Sequence, residues 1–419
     1  MQELQARCVI AGGGPAGMMA GLLLARAGVD VIVLEKHADF FRDFRGDTIH
    51  PSTLQMLHEI GLLRAFLERP HDELQQLSGQ VGTDIITLAD FTALPTVCKF
   101  IALMPQWDFL NFLREQAQRF PTFRLLMSTQ CSDLLIENGF VRGVRSTGPQ
   151  GDTIIRAALV LAADGRHSAV RKRACLPLKT YGAPMDVLWM RIAKEASDTV
   201  RTLGFVGTGH MLVLIDRHTY WQAGFVIAKG TYERMRAQAV TSLHQAITAL
   251  APFLAGRMQA IASWNDISFL EVRVDRLKRW YRPGLLCIGD AAHAMSPIGG
   301  VGINLAIQDA VAAANLLWRP LSDATLNERD LHAVQRRRMF PTRATQTMQV
   351  IVQTVVVRAI LGSVRVSHAP LVLRIVTSSR AWRRFMGRLV GLGFRPERIR
   401  SPIRTPQSEG PAASATRSV

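Results

Sequence analysis

The sequence predicts an α/β fold: a parallel sheet flanked by helices, a second and mostly antiparallel sheet inserted into it, and a helical C-terminal region. Three observations predict this arrangement. A glycine-rich turn, Gly12 to Gly17, separates the apolar run Cys8–Ala11 from a helix-like stretch and a second apolar run, Val31–Glu35. Two later strand-like runs also end in an acid, at Asp164 and at Asp290. Between those two lie residues 185–275, whose segments, such as MLVLIDRHTYWQAGFVIA (Met211–Ala228), read as strands of a separate sheet.

The elements follow in chain order. VIVLEK (Val31–Lys36) is β-branched and apolar throughout, as a strand buried on both faces of a parallel sheet must be. Pro51–Phe66 reads as a helix with proline at its start and Gly61 near its end. Pro105–Phe120 carries Phe109, Phe112 and Leu113 at helical spacing. Asn138-Gly139 between short alternating runs marks a hairpin. Ala158–Ala174 is strand, turn and basic helix, and Gly284–Leu317 is strand, loop and long helix. No repeats are present.

Composition narrows the function classes. With 419 residues, 48% of them hydrophobic, and a mean hydropathy of +0.12, the chain can bury a large core and is not disordered. Its five cysteines include no C-x-x-C pair, so they read as reduced thiols rather than a disulfide framework or a redox couple. No apolar signal segment precedes the glycine turn, and the charge-free stretch Ala344–Val357 is too short to span a bilayer. A cytoplasmic protein is expected. The net charge of +17 is unevenly spread: residues 331–419 hold sixteen arginines and two glutamates, a net +14.

Gly12-x-Gly14-x-x-Gly17 follows a strand and opens a helix, and Glu35 ends the next strand. This is the Rossmann arrangement. The first glycine makes the tight turn, the second admits a pyrophosphate, and the third lets helix pack on strand. Pro15 and Ala16 lie in the turn, the helix N-terminus offers free N–H groups to the phosphates, and Glu35 would accept from a ribose diol. On this stretch alone FAD and NAD remain equal choices. Asp290 ends a buried strand where a carboxylate needs donors, which a ribityl or ribose hydroxyl would supply. Gly299, Gly300 and Gly302 precede a long Ala-rich helix, so N–H groups there can favour negative charge on a bound ring. Asp164 repeats the pattern of an acid at a strand's carboxyl end.

Taken with the glycine turn, three stretches resemble those of the single-component FAD-dependent aromatic hydroxylases, the para-hydroxybenzoate hydroxylase-like flavoprotein monooxygenases. Ala162 to Arg166 looks like that family's DG motif. Gly289 to His293, continuing through Ser296-Pro297 to Gly302-Ile303-Asn304, looks like its GD motif. Arg45-Gly46 and Pro105-Gln106 occupy the spacing where family members contact the flavin. The resemblance covers residues 7–320. It implies FAD held by Gly12, Gly14, Pro15, Ala16, Gly17, Glu35, Arg45, Gln106, Asp164, Asp290, Pro297, Gly302, Ile303 and Asn304. It further implies NAD(P)H as a transient co-substrate, since no second glycine fingerprint is present, and O2 activated as a flavin C4a-hydroperoxide that hydroxylates or epoxidises an electron-rich ring or alkene. No catalytic acid or base and no metal are expected, and His293 is read as structural.

In domain terms the chain divides into an FAD-binding domain (1–75, 100–180 and 275–330), a substrate sheet (76–99 and 181–274), a basic helical region (331–400) and, by composition, a disordered tail (401–419). The substrate wall is expected from the 185–275 sheet, whose conspicuous residues are Trp189, Met190, His210, Met211, Leu212, Trp221 and Phe225, with Met190, His210, Leu212, Trp221 and Phe225 as the candidate contacts. No Arg/Tyr pair stands ready to clamp a carboxylate, which favours a lipophilic or neutral aromatic substrate. In the C-terminal region arginines interleave with Trp382, Phe385 and apolar runs. Two readings stay open there: peripheral contact with the inner face of the membrane, or a helical cap with solvated arginines. Nucleic acid is not expected, because no recognition fold accompanies the charge. Two other flavoprotein activities remain, an isoprenoid or polyene reductase and a halogenase, together with a non-catalytic flavin-binding membrane protein. The halogenase W-x-W-x-I-P stretch is not reproduced around Trp264.

Overall fold

The computed structural model describes residues 2–41, 48–198, 203–207, 209–354, 360 and 368–404. Strand β1 (Gln2–Ala11) lies inside the main sheet, and its Cys8–Ala11 end is wholly buried. Helix α1 (Pro15–Arg26) and strand β2 (Val31–Leu34) follow. β1 pairs in parallel with β2 on one side and with Gly151–Ala162 on the other. Phe123–Leu126 and Leu285–Cys287 extend the parallel array outward. Its register sets Ala11 opposite both Leu34 and Ala162, and Ala162 opposite Cys287. Four strands therefore end at one level, and the residues after them share one crevice, where open parallel sheets bind ligands.

The hairpin strands Gln130–Glu137 and Phe140–Gly148 turn at Asn138 (φ 51°) and Gly139 (φ 81°), the pair of positive φ values that an Asn-Gly turn supplies. The helical run Pro51–Phe66 is two helices, Pro51–Glu59 and Leu63–Leu67, because Gly61 adopts φ 76° between them. Helix Gln106–Ala117 buries Phe109, Phe112 and Leu113, as its spacing predicts.

A second sheet runs in the order Ser268–Leu270, Met185–Ala193, Tyr220–Ala228, His210–Asp216, Leu203–Gly207, Gln76–Val81, Asp84–Asp90, antiparallel except where Leu203–Gly207 meets Gln76–Val81. Its two faces bury different things. One face packs Leu188, Met190, Leu212, Trp221 and Phe225 against Leu243 and Ile247 of helix Val240–Leu250. The other turns Val187, Trp189, Met211, Val213 and Val226 towards Ile298 and Val301 of the main domain.

The C-terminal region forms helices Glu328–Val352, Leu371–Ser378 and Arg380–Gly391. The last packs so closely on strand Asp84–Asp90 that a Cβ at Gly387 would meet the Asp90 carbonyl at 2.0 Å. The chain then crosses the main domain as a non-helical strap. Gln308 donates to Leu392 O, Ile399 N–H donates to Glu59, Ser401 N–H to Asn315, and Arg404 N–H to Arg26 O. The disordered tail expected over 401–419 is corrected here: Ser401–Arg404 are fastened to the body, and 405–419 lie outside the described residues. Among the described residues one helix, Ile298–Ser322, is long and apolar enough to cross a membrane, and it is mostly buried in the core.

Candidate functional site

The crevice at the strand ends is built first by glycine. Gly12 (φ 105°) leaves no room for a side chain, since a Cβ would meet Ala163 O at 2.5 Å. A Cβ at Gly17 would strike Gly12 O at 1.9 Å, which fixes how closely α1 lies on β1. At Gly14 the space is open. No side chain caps α1 and no acid stands in its first turn, so the N–H groups of Ala16 and Gly17 face the crevice beside a positive helix end. Pro15 at the first helical position has no N–H to orphan. Glu35 is buried and accepts from Gly13 N–H at 3.0 Å and His37 N–H at 3.1 Å. It braces the turn from the neighbouring strand.

Asp164 follows the next strand. Its Oδ2 accepts from Val170 N–H at 3.1 Å, while Oδ1 is buried with no hydrogen-bond partner among the described residues. Burial pushes this carboxyl up from the ordinary range. A buried acceptor without a donor fits a ligand hydroxyl. Asp290 comes from the fourth strand and meets Arg166 at 3.3 Å. Arg171, buried, donates to Ala291 O and Arg166 O and so ties the two turns together. Neither arginine was singled out from the sequence, although Arg166 follows Asp164-Gly165 directly.

Gly289 sits between two helices: a Cβ there would meet Ala306 at 3.0 Å and Ala16 at 3.2 Å. Its N–H donates to Asp309, fully buried on helix Val301–Ser322. The same carboxylate takes His293 Nε2 at 2.5 Å and Arg338 Nε at 2.9 Å, and Arg338 continues to Glu397 at 3.2 Å. Burial would raise Asp309, but its contacts with His293 and the Arg338 guanidinium hold it below the usual carboxylate range. His293 is thus a member of an interior ion network. Sequence reasoning passed over Asp309, whose signal was a lone acid inside an Ala-rich apolar helix.

Pro297 caps a short turn in which Gly299 (φ 76°) and Gly300 (φ 63°) take left-handed backbone, and helix Val301–Ser322 begins there without a side-chain cap. A Cβ at Gly300 would meet Thr48 Oγ1 at 2.4 Å. Gly302 and Ile303 lie in the uncapped first turn. Asn304 differs from expectation: its Oδ1 accepts from His50 N–H at 2.9 Å and Thr53 Oγ1 at 2.7 Å, and its Nδ2 donates to Thr48 O. The side chain is spent on fastening the turn. His50 is buried, which pushes its imidazole down to about 4, and its Nδ1 donates to Val390 O at 2.8 Å. Gln106 opens its helix after Pro105, half-buried and making no cap. Arg45 lies outside the described residues.

The expected substrate wall is corrected. Met190, Leu212, Trp221 and Phe225 are fully buried on the sheet face turned away from the crevice, and Trp221 Nε1 donates to Asp198 at 2.8 Å. The His210 ring lies 5.0 Å from that of Phe225 on the same face, and burial pushes its pKa down. The period of two puts their neighbours, Trp189, Met211, Val213 and Val226, on the crevice side. A separate groove of about 560 Å³ runs along helix Glu328–Val352, lined by Phe340, Arg343, Thr347, Met348 and Ile351. One helix builds it and no acid or glycine turn converges there, so the chemistry belongs at the strand ends.

Comparison with known proteins agrees with this geometry. The model of the FAD binding domain family matches residues 5–348. 6-Methylpretetramide 4-monooxygenase of Streptomyces rimosus is 34% identical over 400 residues, 94% of each chain. The fold is similar to PqsL of Pseudomonas aeruginosa in complex with 2-aminobenzoylacetate (TM-score 0.73, 22% identity, 84% of this chain and 96% of that one). It is also similar to the anhydrotetracycline hydroxylase OxyS of S. rimosus (TM-score 0.71, 21% identity, 93% and 76%). A family match over most of the chain, on strand ends that assemble this cradle, makes the protein an FAD-dependent monooxygenase of the aromatic hydroxylase family.

Proposed function

We propose that the protein hydroxylates a lipophilic, multi-ring phenolic substrate of polyketide-like chemistry, held between the glycine turn 297–302 and the crevice face of the second sheet. The observation that carries this reading is the pairing of an uncapped helix N-terminus at Gly300–Gly302 with an apolar wall of Val187, Trp189, Met211, Val213 and Val226. That a relative 34% identical to this chain is a 6-methylpretetramide 4-monooxygenase supports the substrate class.

When bound, FAD supplies the redox chemistry: substrate, O2, NAD(P)H and a proton become hydroxylated product, NAD(P)+ and water. The chain's own residues hold and orient. In our assignment the N–H groups of Ala16 and Gly17 take the pyrophosphate, Gly14 lets it approach, and Glu35 takes the adenosine ribose while bracing Gly13. Asp164 Oδ1 and Asp290 accept cofactor hydroxyls, with Arg166 balancing the charge of Asp290. The first turn of helix Val301–Ser322, which has no side-chain cap, would offer its N–H groups to negative charge on a bound cofactor ring. The apolar sheet face excludes water from the reacting atoms. Gln106 and Arg45 keep the flavin-contact role that their motifs imply. We place the enzyme in the cytoplasm, with region 331–400 in peripheral contact with an anionic membrane.

The test is anaerobic reduction of the yellow holoprotein by NADPH or NADH, followed by oxygen and a panel of polycyclic phenols. Product carrying oxygen-18 from dioxygen is expected. Product formed without dioxygen, or turnover confined to small single-ring acids, would overturn the reading.

A further inference from the structure

Among the described residues of the C-terminal region, most of the exposed large apolar side chains lie on two consecutive helices joined at Ser379. On Leu371–Ser378, Leu371, Val372 and Ile375 are 69%, 73% and 62% exposed. On Arg380–Gly391, Phe385 is 56% exposed and its ring lies 6.0 Å from that of Trp382. The opposite faces are already used. Leu373 packs on Val81 and Ile86, while Met386 and Val390 pack on Ala89, Phe91 and Leu94. The exposed residues are therefore not the inner face of an element that failed to dock.

The charge around them has one sign. Residues 371–391 contain five arginines and no acid. Arg380, Arg384 and Arg388 make no ion pair with a described residue, and Arg374 lies at the margin of one, 4.0 Å from Asp84. A second copy of the chain would bring the same arginines against one another, so symmetric pairing through this face is opposed by like charge. An acidic protein surface would answer the arginines but not the exposed Leu, Val, Ile, Trp and Phe side chains beside them. A bilayer with anionic headgroups answers both: apolar side chains enter the acyl boundary and guanidinium groups reach phosphates.

We propose that the helix pair Leu371–Gly391 seats the enzyme on an anionic lipid surface. The proposal rests on the peripheral membrane contact assigned above to region 331–400 and locates it. Leu371, Val372, Ile375, Trp382 and Phe385 insert, and Arg380, Arg384 and Arg388 bind headgroup phosphates. The seat is rigidly attached to the active half of the molecule, because Val390 O is bonded by His50 and Leu392 O by Gln308. A lipophilic substrate would partition into the same surface.

The experiment uses full-length, FAD-loaded protein and co-sedimentation with phosphatidylcholine vesicles with and without phosphatidylglycerol. Binding only to the anionic vesicles, weakened by salt, is expected. The variant R380Q/R384Q/R388Q should bind roughly a hundred-fold more weakly, and L371S/I375S/F385S should lose binding even at low salt. Flavin content and melting temperature show that both variants fold. Failure of the wild type to sediment with anionic vesicles, or equal binding by the arginine variant, would overturn the proposal. So would a fall in oligomeric mass in the serine variant without any vesicle effect, which would give the face to a second copy. Sedimentation needs no turnover, so an enzyme that hydroxylates but ignores vesicles sinks this inference alone.

Discussion

At the scale of single residues, the crevice divides into groups that already have partners and one that lacks them. Glu35, Asp290 and Asn304 are bonded within the protein, whereas Asp164 Oδ1 is not. Asp164→Asn is expected to weaken FAD binding by about ten-fold or more, the worth of one hydrogen bond to a charged group, measured by quenching of flavin fluorescence. The same carboxyl gives a pH signature. Its folded pKa is raised, so the native apoprotein holds the proton more tightly than the unfolded chain. That contribution to stability is full below the ordinary carboxylate range and is lost as pH rises through the raised value. Denaturant titrations of the apoprotein should show this decline, Asp164→Asn should lack it, and FAD should reduce it. The glycines and the acids at strand ends were legible in the sequence because each role excludes other residue types. The face of a strand was not. Tyr220–Ala228 is buried at almost every position, so alternation carries no contrast there. Trp221 and Phe225 drew attention by size, and large apolar side chains fill the deeper core.

At the scale of elements, the second sheet separates stability from specificity. Met190→Ala, on the face against helix Val240–Leu250, should cost about 2–5 kcal/mol in chemical denaturation and leave relative kcat/KM among substrates unchanged. Val213→Phe, on the crevice face, should do the reverse: little change in stability, and a shift of about 10-fold or more in preference towards smaller rings. If the Met190 variant alters substrate preference while the Val213 variant does not, the assignment of faces is wrong. The network Gly289–Asp309–Arg338–Glu397 joins helices that the sequence shows only as separate amphipathic runs. Arg338→Leu leaves Asp309 and Glu397 as buried charges short of a partner, with an expected loss of about 3–5 kcal/mol. Because Asp309 also holds Gly289, the variant should lose flavin faster in dilution than Val334→Ala, a neighbouring core truncation matched for stability. The overall α/β architecture, the Asn-Gly hairpin and the long helix after Gly300 were readable from periodicity and turn chemistry. The ion network was not, since partners 20 to 60 positions apart leave no local pattern.

At the scale of the whole molecule, the strap after Gly391 is what the sequence conceals best. It has no period, and its value lies in single bonds to Glu59, Asn315, Arg26, Arg337 and Arg338. A chain ending at Leu392 should melt several degrees lower and hold less flavin, whereas Glu397→Gln alone should give a smaller loss of the same kind; an unchanged melting temperature on truncation would show the strap to be passive. The strap also closes late in synthesis on the ribosome. Arg404, which closes onto Arg26 O, is made 378 residues after it. At about 5–20 residues per second, roughly 20 to 75 s separate the two. The strands that carry Asp164 and Asp290 are made within that interval, and the clasp at the C-terminal end of α1 closes only after both. A fully fastened holoenzyme therefore cannot exist before Arg404 has been made and has left the ribosome.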